Sequence, residues 1–199
     1  MANSLWVFTL TLFMVRCVPD PRTHLGVKLL SAVLFGIGLS SRVHFLLVGP
    51  PVLSALVQTA GWGRALKFMS VAALACLVVT APFYLYDPQG FTPLHPFTKL
   101  DSFEGLLPLA RWVVPIVGGG LALALSFQSL DEKRLVLYRS CAIVLASPVV
   151  CTVLLSSVRE GGLELEKFAW YGESFMFFAA LVCWIKLTEE IPPIARKEG

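Results

Sequence analysis

The sequence predicts an all-α fold, a polytopic transmembrane helical bundle of about seven spans, two of them short and bent. Three observations carry this. Of 199 residues, 56% are apolar and only 15% charged, against roughly 25% charged in an average soluble domain. Mean hydropathy is +0.75. The charged residues cluster between apolar runs near the length a membrane crossing needs, about 20 residues of helix. A soluble globule of this size needs more polar surface to cover itself, and the same figures exclude a disordered chain or a disulfide-rich secreted scaffold. The net charge of +3 is small and scattered, so nucleic acid is not an expected partner. The expected partner is the lipid bilayer, with other membrane helices beside it.

The spans are expected near 3–18, 25–41, 43–60, 66–86, 107–127, 135–157 and 168–187, forming one integral membrane domain over 1–199. The first run follows no basic cluster and precedes no small-residue cleavage site, so a retained span is expected rather than a signal peptide. Its start almost at Met1 also suits a fragment lacking earlier spans. The second and third runs are the weak point. Only Ser41 and Arg42 separate them, and Gly49-Pro50-Pro51 interrupts the third. Prolines leave backbone carbonyls without donors, which lipid cannot satisfy, so this kink should face other helices or a wet cavity. The last four runs are long enough to cross. In the fifth, Gly118-Gly119-Gly120 suits close helix approach, as do Gly36 and Gly38 in the second.

Orientation follows from Lys and Arg in the short loops. Arg16, Arg22, Lys28, Arg64, Lys67, Lys133, Arg134, Arg196 and Lys197 fall on one side; Arg42, Lys99, Arg159 and Lys167 fall on the other. The first set should be cytoplasmic, with the N-terminus outside, the C-terminus inside, and a bacterial inner membrane as the expected location. Trp62, Trp112, Tyr84, Tyr86, Trp170 and Tyr171 sit at span ends, where amphipathic rings suit the headgroup region.

Chemistry-bearing residues are sparse. Cys17, Cys76, Cys141, Cys151 and Cys183 form no CxxC pair and read as small hydrophobes. His24, His44 and His95 have no metal-ligand spacing, so no metal and no cofactor are expected. Charges near the spans are more informative, because a charge at the bilayer centre costs several kcal/mol. Arg139 can snorkel to the cytoplasmic surface. Arg111 and Glu173 lie at similar depth on the outer side and form a candidate intramembrane pair. Arg42, beside His44, stands between two short apolar helices, an odd choice for simple anchoring. In the outer loop, Asp87 can cap the turn set up by Pro88 and Gly90.

One stretch carries a resemblance. From about residue 25 to 100 the order is a short helix with Gly36 and Gly38, then Ser40-Ser41-Arg42, then an apolar helix broken at Pro50-Pro51. A basic connector, Gly61-Trp62-Gly63-Arg64, leads to a long span ending Ala81-Pro82-Phe83-Tyr84-Leu85-Tyr86-Asp87-Pro88-Gln89-Gly90-Phe91. This resembles the C-terminal half of bacterial multi-span glycosyltransferases of the GT-C superfamily. The resemblance implies a transferase that takes a sugar from a polyprenyl-phosphate carrier at the outer membrane face. In that family the acidic catalytic residue lies in the first outer loop. Here the first loop, 17–24, is expected in the cytoplasm and its only acid is Asp20, so no catalytic residue is carried over. Arg42 and His44 are carried as candidates for contacting lipid phosphate, since an arginine fork matches phosphate oxygens. The chain then reads as the C-terminal part of such an enzyme, inactive alone. The alternative is a non-enzymatic membrane protein, a small transporter component or an assembly partner. An acyltransferase or phosphatase lacks the His-Asp or paired acidic constellation it would need.

Overall fold

The computed structural model describes residues 2–88, 110–130, 135–162 and 173–190. Within them the chain is all-helical, with no strand. The α-helices are α1 (Ala2–Cys17), α2 (Leu25–Ser40), α3 (Gly49–Ala60), α4 (Trp62–Tyr86), α5 (Ala110–Ser126), α6 (Leu135–Glu160) and α7 (Glu173–Glu190), with a 3₁₀ helix, Val43–Val48, leading into α3. The helices follow the expected apolar runs in order. Three helical segments are long and apolar enough to cross a membrane: Val43–Ala60, Trp62–Tyr86 and Leu135–Glu160, with mean hydropathies of 1.5, 2.0 and 2.3. The remaining apolar helices are shorter among the described residues.

The segment expected to be weakest turns out continuous. Gly49 keeps helical angles (φ −54°, ψ −54°) as the 3₁₀ turn passes into α3. Pro50 and Pro51 occupy the first turn of α3, where a missing N–H removes no intrahelical bond, because those donors are orphans anyway. The tighter turn ahead of them makes its own i→i+3 bonds, Phe45 N–H to Arg42 O at 3.0 Å and Gly49 N–H to Leu46 O. The break falls at Arg42, between the second and third runs as expected, where the backbone is extended (φ −156°, ψ 139°). A second break falls at Gly61, whose φ of +85° is a left-handed conformation that glycine adopts without steric cost.

Helix α2 lies between α1 and α4, and glycine sets both distances. A Cβ at Gly36 would stand 2.1 Å from the backbone oxygen of Ala72 on α4, and one at Gly38 would stand 3.2 Å from Leu10 Cδ1 on α1. Of the three consecutive glycines in α5, only Gly118 is packed, against Leu47 and Ser147; Gly119 and Gly120 face open space. The apolar core runs through Met14, Phe35, Phe45, Leu56, Phe68, Leu145 and Phe178. Phe8 joins α1 to α7 and α6, with its ring edge-on to Phe178 at 5.1 Å and tilted against Tyr138 at 6.5 Å.

The exposed face of α4 is strongly apolar. Only 11% of the apolar window in α4 is buried, and Leu74, Leu77, Val78, Phe83 and Leu85 are all exposed.

Candidate functional site

Two places gather polar side chains. The first is the extended junction between α2 and the 3₁₀ helix. Arg42 is exposed there, and its guanidinium makes no hydrogen bond or ion pair among the described residues. His44, two residues on, is half-buried, with its ring tilted against Phe45 at 4.5 Å. The geometry that presents Arg42 is local. The backbone cannot continue α2 through it, because its carbonyl already accepts the first 3₁₀ bond while its own φ and ψ are extended, the usual state of a residue opening a helix.

The second is a polar seam where α3, the end of α5 and the start of α6 meet. Gln58 Nε2 donates to Gln128 O at 3.0 Å and to Ser54 Oγ at 3.1 Å, while its Oε1 accepts from the Leu130 amide at 2.8 Å. Ser54 Oγ in turn donates to the carbonyl of Ser126. One glutamine side chain thus pairs with the backbone of the α5–α6 connection on both its donor and its acceptor. Arg139, exposed on α6, reaches Gln128 Oε1 at 3.4 Å. A cavity of about 10 Å³ lies inside the seam, lined by residues that include Pro51, Ser54, Gln58, Ser126, Gln128 and Ser140. Of the two prolines, Pro51 is buried and lines this pocket.

Charge placement does not reveal this seam, because it is built from neutral amides and hydroxyls. The signal was present: Ser54 and Gln58 are four apart in an otherwise apolar run, hence on one helix face.

Other candidates take local roles. His24 caps α2, its Nδ1 accepting from the Gly26 amide at 3.1 Å. Asp20 builds the turn before α2, accepting from the Arg22 amide and the Thr23 hydroxyl, both at 2.9 Å. The Arg22 hydrogen bond first, and the Thr23 one second, hold its carboxyl below the ordinary range. Arg111 and Glu173 fall in the first turns of α5 and α7, but their side chains lie outside the described residues, as do Trp170, Tyr171, His95 and the connection beyond Pro88. No group of three His, Cys, Asp or Glu side chains suited to a metal occurs among the described residues. All five cysteines are free, and Cys141 is buried.

No protein-family model matches the chain, and neither the curated proteins nor the solved structures contain a match.

Proposed function

We propose that this chain is an integral membrane bundle of seven crossings that binds the phosphate of a polyprenyl-linked sugar at the outer membrane face. The class of reaction is glycosyl transfer, with this chain as the C-terminal, lipid-holding part, inactive without companion spans. The observation that carries the reading is Arg42, whose guanidinium has no partner among the described residues and is presented on an extended residue between two apolar helices. A guanidinium fork gives phosphate two parallel charge-assisted hydrogen bonds. The apolar surface around it is what an isoprenoid tail would lie along, and exposed residues such as Leu46, one turn on, contribute to it. The broad apolar exterior supports the membrane location, because monomeric soluble proteins rarely expose contiguous apolar patches above a few hundred Å².

The test is binding of radiolabelled polyprenyl phosphate to the full chain in lipid nanodiscs, with an ordinary anionic phospholipid as competitor. Arg42→Ala should weaken binding about 10- to 100-fold, the loss expected when a charge-assisted hydrogen-bonded pair is removed. Arg42→Lys should recover part of it, since lysine keeps the charge and loses the fork. Equal binding by wild type and Arg42→Ala removes Arg42 from the site. That outcome favours the second reading, a non-enzymatic assembly or transport partner, which the seam at Gln58 already suits because its amide is wholly spent on joining helices.

A further inference from the structure

The cations of α1, α2 and α4 gather at one end of those helices. Helix alignment shows this. Gly36 meets Ala72 of α4, and most of α2 precedes that contact. On α4 the buried residues are Ala65, Phe68 and Ala72, with none beyond Ala72. The long N-terminal part of α2 therefore lies along the start of α4, and the two helices run parallel. Lys28 stands as far before Gly36 as Arg64 stands before Ala72, so the two cations share one height, both helices rising about 1.5 Å per residue. Helix α1 packs on α2 through Gly38 against Val7 and Leu10, and a short turn reverses the chain between them. Arg16 then comes within a turn of Lys28 in height, and Lys67 lies about one turn further along α4.

Four cations on three helices thus form a collar at one depth, with Arg22 in the adjoining turn. Asp20 is the one acid on these helices and their connections at this end. Both its oxygens are taken, by the Arg22 amide and the Thr23 hydroxyl. Arg64 and Lys67, three apart and hence neighbours on the helix surface, are exposed and make no hydrogen bond or ion pair among the described residues. Beside the cations in the sequence, Leu30, Trp62 and Leu66 are exposed as well. A soluble polyanion would leave that apolar surface uncovered. A molecule with an anionic head and hydrocarbon chains covers both. We propose that this collar binds anionic phospholipid, with the headgroup phosphate on Arg64 and Lys67 and the acyl chains along Leu66 and the apolar length of α4. The surface is separate from Arg42, which lies past the opposite end of α2, and the proposal does not depend on the glycosyl-transfer reading.

Spin-labelled phosphatidylglycerol and phosphatidylcholine, each at trace level in phosphatidylcholine vesicles holding the full chain, report how much of each lipid is immobilised. The wild type should hold phosphatidylglycerol in preference. Arg64→Gln/Lys67→Gln should lower that preference by about fivefold or more, since one Lys or Arg near an anionic headgroup is worth roughly a factor of five. Arg64→Lys/Lys67→Arg, which keeps both charges, should retain most of it. Arg159→Gln, which removes a cation already paired with Glu160 on α6, should leave it unchanged. Equal retention of the two lipids by the wild type overturns the proposal. So does a preference that survives the double glutamine variant, or one that falls as far in Arg159→Gln. Replacing chloride by inorganic phosphate at equal ionic strength separates a lipid from a free anion. Loss of the preference in phosphate alone would mean that the cations take the bare anion, and the lipid would be ruled out.

Discussion

A methyl group at Gly36 would stand 2.1 Å from the carbonyl oxygen of Ala72, an atom of helix backbone that cannot swing aside. Gly36→Ala should therefore push α2 off α4 and destabilise the bundle by roughly 1–3 kcal/mol or more, as overpacking does. Gly119→Ala meets nothing within 4 Å and should be neutral or stabilising by about 0.5–1 kcal/mol, since alanine is the better helix former. Thermal unfolding of the two variants side by side checks the contrast. The sequence placed both glycines at helix contacts, and only geometry separates them. Glycine spacing says that close approach is allowed, not which face is used. Asp20 offers a second test at this scale. Its folded-state pKa lies below the ordinary value, with the Arg22 amide as the main cause. The turn it builds is then held above the ordinary carboxyl pKa and lost as pH falls through the lowered one. An NMR titration should give a midpoint below that of a free aspartate side chain, and Asp20→Asn, which keeps the acceptor, should make Arg22 amide exchange insensitive to acid. A midpoint at or above the ordinary value contradicts the assignment.

Among the elements, the 43–60 segment shows how a local signal can mislead. Two prolines inside an apolar run read as a break, yet in the first turn of α3 they cost no backbone hydrogen bond, and the chain runs on through a 3₁₀ turn. What decides is position within the helix, and the start of α3 is not marked in the sequence by a capping side chain; Val48 fills that place. The opposite happened at α5 and α6. Their apolar runs were plain, but the clamp that fixes their connection was not, because Gln58 and Gln128 lie 70 residues apart. Gln58→Leu keeps the apolar length and removes the clamp, leaving the Leu130 amide and the Gln128 carbonyl without it. It should cost about 1–3 kcal/mol and raise hydrogen exchange at Leu130 while leaving α1 and α2 protected. Uniform loss of protection would mean that the clamp holds the whole bundle rather than this corner.

At the scale of the molecule, composition alone dictated helices and an apolar exterior, and the structure has both. Composition could not say which helices cross. Three are long and apolar enough by themselves, and the seven-crossing arrangement rests on pairing those with shorter neighbours. In the proposed orientation, which follows lysine and arginine placement, Arg42 lies outside and the connections near Gly61 and Ser129 lie inside. The phosphate-binding proposal depends on that orientation, and the crossing at 43–60 is its most exposed point. The direct test replaces the five native cysteines and introduces single ones at Ser41, Gly63 and Ser129 in turn. Each variant is probed in intact cells with a membrane-impermeant thiol reagent. The account predicts labelling of Ser41→Cys from outside, and of Gly63→Cys and Ser129→Cys only after the membrane is opened. Labelling of Ser41→Cys and Gly63→Cys from the same side would mean that 43–60 enters and leaves by one face, and the outward arginine would lose its place.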